Sequence, residues 1–178
     1  METFAPQQIL EAFMAGTNDA FVVLTAEGSI VTCNHKFIQF HEEQTGKPPA
    51  EHQDYLSQIR LTPLSFLIQS VQECLSKATS LKFTRYFGQE DGKVLCFDFE
   101  VLSLLNKDQQ VAGVGIGIFD VTDKYLAQLK LQQSEELFKA LVLNSADVFQ
   151  LTDTDCKVRY VSEAVKRVLG YDIHTLLG

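Results

Sequence analysis

An α+β domain, one antiparallel sheet of five strands with helices packed on it, is the architecture this sequence predicts. Three observations predict it. Two short apolar runs, 20–24 and 29–33, flank the turn Ala26-Glu27-Gly28. Three further runs, 81–87, 94–105 and 111–121, are parted by Glu90-Asp91-Gly92 and Asn106-Lys107-Asp108. Between the two groups the apolar spacing becomes helical. Short β-rich runs bounded by turn residues read as strands, and hairpin-linked strands on either side of a helical stretch give a sheet covered by helices.

The chain has 178 residues, one full domain and a remainder. At 46% hydrophobic and 21% charged it can bury a sizeable core and is too apolar for wholesale disorder. Fifteen basic against 23 acidic residues leave a net charge of −8. That charge repels phosphate backbones, so no nucleic-acid partner is expected. No Lys or Arg precedes Lys36, which removes the basic start of a secretory signal. The longest apolar run, 111–119, is well short of the roughly 20 residues that span a membrane. The expectation is a soluble, cytoplasmic segment without membrane contact. Cys33, Cys74, Cys96 and Cys156 form no CxxC pair, so reduced, mostly buried thiols are expected rather than a zinc site or disulfides.

Taken in order, Pro6 opens a first helix with Ile9, Leu10, Phe13 and Met14 on one face, and Gly16 stops it. The 20–33 hairpin follows. Residues 34–40 return to helical spacing, whereas 42–54, polar and carrying Gly46, Pro48 and Pro49, read as loop or short turns. Pro63 begins a second long helix with Leu64, Leu67, Ile68, Val71 and Leu75 on one face, ending near Ser76-Lys77. The three-stranded meander completes the domain.

From Thr122 the pattern is a helix running past Val142, with Thr122 or Asp123 as its cap. Its apolar positions include Leu126, Leu129, Leu131, Leu137, Phe138, Leu141 and Val142, and Gln133 and Glu136 interrupt the best seam. Two readings stand: an amphipathic linker packed on its own domain, or a short parallel coiled coil between two copies.

The start of the chain recurs near its end. A shift of 128 residues aligns Ala12 with Ala140, Asp19 with Asp147, Phe21 with Phe149, Ile30 with Val158 and Asn34 with Ser162, without a gap. Apolar alternation and turn placement match throughout, the mark of a repeat. The second copy reaches only the helix after the hairpin. A lone hairpin is marginal in water, so residues 134–178 are expected to be the opening part of a second domain of a longer protein.

Asn18-Asp19-Ala20, Asn34 and Asp120-Val121-Thr122, with Ser145-Ala146-Asp147, Tyr160-Val161-Ser162 and Leu169-Gly170-Tyr171 in the second copy, resemble the motifs of the PAS sensory-domain family in their order and spacing. The first copy departs from the pattern in carrying Thr45-Gly46-Lys47 and Pro48-Pro49 where relatives have Leu-Gly-Tyr. The resemblance implies a PAS sensory domain over 1–122, a signalling helix over 123–142 and a truncated second PAS domain over 134–178. It also implies that Asp120 and Thr122 form the signal junction, tying the last strand to the outgoing helix. Leu126 and Leu129 would lie at a homodimer or linker seam.

His41-Glu42 lacks a second His at position 45, which is Thr, so it is no zinc-protease helix. Nor does it match the phospho-accepting motif of sensor kinases, since Glu43 is acidic and Pro48 comes too late; a surface histidine is expected. Between Pro63 and Thr79 there is no His to hold haem and Cys74 is the only soft candidate. The Asn-Cys-Arg-Phe-Leu run of covalent flavin sensors is missing. In the run Gly113-Val114-Gly115-Ile116-Gly117 the glycines share one sheet face, leaving room for a ligand or letting a helix backbone pack closely, the second being preferred. Phe97 and Phe99 form an apolar wall. Neither metal nor cofactor is therefore expected, and an unidentified small ligand remains open.

These readings combine into a non-catalytic sensory and dimerisation module of a signal-transduction protein, with a sensor histidine kinase as parent and an output domain later in the same chain. The alternatives are the same module in a cyclic-di-GMP-synthesising enzyme or a transcription regulator, or an adaptor that pairs chains without sensing.

Overall fold

The computed structural model describes residues 12, 14, 16–50, 53–89, 92–144 and 147–177. The chain divides into two compact units, 1–122 and 123–178. Of the expected first helix, only Ala12, Met14 and Gly16 are described, all helical; the rest lies outside the described residues, as do Glu90 and Asp91 of the expected turn.

In the first unit, β1 (Ala20–Thr25) and β2 (Ile30–Cys33) form the hairpin. Its turn closes because Thr25 Oγ1 accepts the Glu27 and Ser29 amides at 3.2 and 3.3 Å, and because Gly28 takes φ 87°, a left-handed conformation that glycine adopts freely. Asn34 caps α1 (His35–Thr45) by accepting the Phe37 amide. The helix continues through residues 42–45, where the sequence predicts loop. Gly46 sets its end, turning left-handed at φ 79° and donating its amide to the Glu42 carbonyl. Residues 42–44 are polar because they face out, not because the helix has stopped.

A short helix, α2 (Tyr55–Ile59), is capped by Asp54 and buries both of its end residues. It falls in a stretch where no helix was expected. After it come tight turns in which the Ser65, Leu67 and Ile68 amides reach only three residues back. For that reason α3 (Phe66–Lys77) begins three residues after Pro63. Its inward face is Leu67, Val71 and Cys74, with Ile68 and Leu75 only partly buried.

β3 (Ser80–Gly88), β4 (Val94–Leu105) and β5 (Val111–Asp120) make the meander. The five strands lie in the order β2-β1-β5-β4-β3, all pairs antiparallel. β5 is central, pairing over Gly113–Ile118 with β1 and along β4 on its other side. Its inner face is Val114, Ile116 and Ile118, packed with Val22 and Leu24 of β1, Phe99 and Val101 of β4, and the helices. The fold is a five-stranded antiparallel α+β sheet domain with flanking helices.

The second unit holds α4 (Thr122–Asn144, whose first residue closes the first unit), the hairpin β6 (Gln150–Thr152) and β7 (Val158–Val161), then α5 (Ala164–Leu169) and α6 (Ile173–Leu176). Among the described residues its buried ones are Val142, Val161, Ser162, Ala164 and Val165. Ser145 and Ala146 of the expected motifs lie outside the described residues. Among the described residues no helix is long and apolar enough to cross a membrane, and no group of three or more His, Cys, Asp or Glu is placed to hold a metal ion.

Candidate functional site

The outgoing end of β5 is fastened to the start of β4 by side-chain and backbone bonds. The Val121 amide donates to the Cys96 carbonyl at 2.9 Å. One residue on, the Thr122 hydroxyl takes over: its oxygen accepts the Cys96 amide at 2.9 Å and lies 3.4 Å from the Cys96 carbonyl. Asp120 Oδ1 accepts the Thr122 amide at 2.9 Å. Thr122 thus continues the ladder with its side chain after the strand has ended, and the oxygen that receives the first free amide of α4 is Asp120's. That division differs from the expected cap by Thr122 or Asp123, because the Thr122 hydroxyl is turned onto β4. Cys96 is buried, and its thiol is pushed up by burial and by the carboxylates of Asp98 and Asp120.

A shallow cleft of ≈ 250 Å³ runs from Lys36 and Glu43 on α1 to Asp120. Leu126 and Leu129 lie on α4, in the second unit, and both are exposed.

Between helices and sheet the space is filled by phenylalanine. Phe40 of α1 meets Phe97 edge-on at 5.1 Å, and Phe66 of α3 meets Phe99 likewise at 5.1 Å. Phe83 stacks on Phe99 at 5.5 Å, and Phe87 adjoins Phe97 at 5.7 Å. Arg85 closes the outside, its guanidinium 5.0 Å from the Phe66 ring centre. Each ring pair adds about 0.5–1.5 kcal/mol beyond the area it buries. Phe97 and Phe99 thus belong to a larger aromatic core, for which β3, α1 and α3 supply the facing rings. Cys74 is part of this interior too: its thiol lies 3.4 Å from the Val101 carbonyl, to which it donates. Cys156, by contrast, is exposed and Cys33 half-buried, against the expectation of mostly buried thiols for those two.

The three glycines of β5 lie on the outer face, where a Cβ would meet close neighbours. At Gly113 it would strike the Leu24 carbonyl oxygen, and at Gly117 it would come within 3.0 Å of Phe119 and 3.2 Å of Phe21. Close packing is the outcome, but against a neighbouring strand and aromatic rings rather than a helix backbone.

His41 is the largest departure from the sequence reading. It is only 1% exposed, not a surface residue. Phe37, Phe40 and His41 are the buried residues of α1, spaced three and four apart, which places them on one helical face. That spacing was the available signal. The chain returns over the helix end so that the Lys47 carbonyl lies 2.9 Å from Nδ1. A carbonyl only accepts, and the Thr45 hydroxyl, 3.1 Å from the same nitrogen, donates to the His41 and Lys47 carbonyls; these contacts assign the proton to Nδ1 and leave Nε2 a bare acceptor. Nε2 is buried without a hydrogen-bond partner among the described residues, and so is the Tyr55 hydroxyl. The His41 and Tyr55 rings are 5.6 Å apart, with Phe37 5.7 Å from Tyr55. Burial holds the imidazole below its ordinary value and pushes the phenol far above its own. Both groups are therefore neutral near pH 7.

No family model matches the sequence, and no curated protein matches it either. Solved structures do share the fold. The chain is similar to the PAS domain of a Colwellia psychrerythraea protein, at 16% identity over 66% of this chain and 97% of that one, with a TM-score of 0.45. An RNA-binding light-oxygen-voltage receptor is similar at 14% identity over 79% of this chain and 42% of that one, TM-score 0.50. A sensory-box sensor histidine kinase from Vibrio cholerae is similar at 15% identity over 65% and 92%, TM-score 0.44. At such identities the likeness is one of fold.

Proposed function

We propose, because the first unit has the PAS fold, that it is a non-catalytic sensory module of a signal-transduction protein and that it relays its state through the helix leaving Thr122. The observation that carries this reading is the Thr122 side chain bonded to the Cys96 backbone, with Asp120 holding the Thr122 amide. A shift of β4 against β5 must move these bonds, and they sit on the first residue of a helix of 23 residues. The parent in this reading is a cytoplasmic sensor histidine kinase with its output domain in the same chain. The net charge of −8 supports a segment that meets no nucleic acid.

The second unit, in the same reading, is the opening part of a second PAS domain. Its support is bond-for-bond. The Phe149 amide donates to Ser162 Oγ at 3.0 Å and Ser162 Oγ lies 3.4 Å from the Asp147 carbonyl. In the first unit the Phe21 amide donates to Asn34 Oδ1 at 2.9 Å and Asn34 Nδ2 to the Asp19 carbonyl at 2.8 Å.

Thr122→Val tests the relay, since it keeps the side chain's shape and removes both hydroxyl bonds. Hydrogen exchange should quicken about tenfold at the Cys96 amide and through the first turn of α4, the equivalent of roughly one hydrogen bond, while Val22 and Ile116 keep their protection. A response confined to Cys96 would defeat the relay. Homodimerisation through Leu126 and Leu129 is supported by their exposure on α4. Sedimentation should show a mass near two chains for the wild type and near one for Leu126→Asp; equal masses refute a seam at that position.

A further inference from the structure

We infer that His41 and Tyr55 form an internal binding site for a small uncharged molecule carrying one N–H or O–H donor beside one acceptor, such as an amide or an alcohol group. The inference rests on the reading of the first unit as a receptor and names what it receives. Two polar side chains, 1% and 0% exposed, each keep an atom without a hydrogen-bond partner among the described residues. Buried polar atoms are nearly always paired, and an unpaired one costs about 1–3 kcal/mol. Here two such atoms belong to rings 5.6 Å apart, with the Phe37 ring 6.1 Å from His41 and 5.7 Å from Tyr55.

The chemistry of the pair selects the guest. Nδ1 is committed to the Lys47 carbonyl, so Nε2 offers a lone pair and asks for a donor. The Tyr55 hydroxyl has a proton to give and asks for an acceptor. A carboxylate fails twice: it brings no donor for Nε2, and it loses its hydration among aromatic walls without a cation in exchange. A ketone satisfies only the tyrosine. A primary amide satisfies both, with its N–H on Nε2 and its carbonyl under the phenol. Burial at this spot keeps both rings neutral, so the match does not depend on a charge that solvent would screen.

Acetamide, acetone and acetate have nearly one shape and differ in these properties alone. Best-case affinities for a ligand of about four heavy atoms lie in the tens of micromolar, so the titration runs to about 100 mM on the full chain. The readout is the His41 ring-nitrogen resonances. Acetamide should shift Nε2 and saturate, while acetone and acetate at equal concentration leave it in place. Tyr55→Phe, which keeps the ring and removes the hydroxyl, should weaken acetamide about tenfold, the equivalent of one hydrogen bond. Its near-ultraviolet dichroism reports whether the core is intact.

Equal shifts with acetone, undiminished binding by Tyr55→Phe, or a wild-type spectrum with the proton on Nε2 would overturn the inference. Atoms that accept only water would leave all three titrations flat and overturn it too. Because the signal is read at His41 and not at Thr122, a failed relay leaves this result standing, and a failed titration leaves the relay untouched.

Discussion

The two units solve the same local problem with the same bonds and then part company. At a spacing of 128 residues, Thr25 and Asp153 each brace a hairpin turn. Thr25 Oγ1 accepts the Glu27 and Ser29 amides, and Asp153 Oδ1 accepts those of Asp155 and Lys157. Gly28 and Cys156 both take positive φ, at 87° and 60°. Even the pairing irregularity falls at Val23/Leu24 in one hairpin and at Leu151/Thr152 in the other. What differs is enclosure. In the first unit β1 is paired on both sides, with β2 and β5. In the second, β6 pairs with β7 alone among the described residues, and Phe149, Leu151, Val168, Leu169 and Tyr171 are exposed. Hairpin geometry is thus encoded within some twenty residues, while burial is supplied by strands distant in sequence.

The comparison is sharpest at Asn34 and Ser162. Asn34 makes four bonds: its Oδ1 accepts the Phe21 and Phe37 amides at 2.9 and 3.0 Å, and its Nδ2 donates to the Asp19 and Met14 carbonyls at 2.8 and 3.2 Å. Asn34→Ala therefore strands buried amides, caps nothing, and should cost about 3 kcal/mol. Ser162→Ala loses one bond of 3.0 Å and a long one of 3.4 Å, at a hairpin with less around it, and should cost about 1 kcal/mol. Hydrogen exchange at the Phe21 and Phe149 amides reads each unit separately in the same chain. Equal losses would mean that enclosure adds nothing to these bonds, and the contrast between the units would fall.

The same contrast explains what was legible. The strands were, because alternation and turn residues are local: 94–105 was read as one strand and β4 is Val94–Leu105. The repeat was legible for the same reason. The short helix α2 was not, since five residues carry too little periodicity to declare themselves, and its burial comes from Tyr55 and Ile59 packing on distant elements. Cys74, expected among the buried thiols, does lie in the core, seven residues after Leu67 and three after Val71 on the inward face of α3. At the junction, Asp120 and Thr122 were visible as residue types, but Cys96 was not. Its part is played by backbone atoms, whose place depends on the register of β4 against β5.

His41 offers the finest test, because its counterpart in the second unit is Leu169, which is exposed and does not titrate. Burial lowers the imidazole's affinity for a proton in the folded chain, while in the unfolded chain it titrates near its ordinary value of about 6.5. Below that value the unfolded state binds a proton that the folded state refuses, so stability rises with pH across the window and falls as the pH is lowered into it. The slope approaches about 1.4 kcal/mol per pH unit for one proton. Carboxylates add their own slope at lower pH, so the measured quantity is a difference: urea midpoints of the wild type and of His41→Leu, which copies Leu169, compared from pH 7.5 down to about 5. The two curves should converge as the pH falls, since the variant gives up the Lys47 bond at every pH but loses nothing to protonation. Phe149 exchange, reporting the second unit, should keep the same pH profile in both. Parallel stability curves would show that His41 takes up its proton as readily folded as unfolded, and would remove the neutral, bare nitrogen from the first unit's interior.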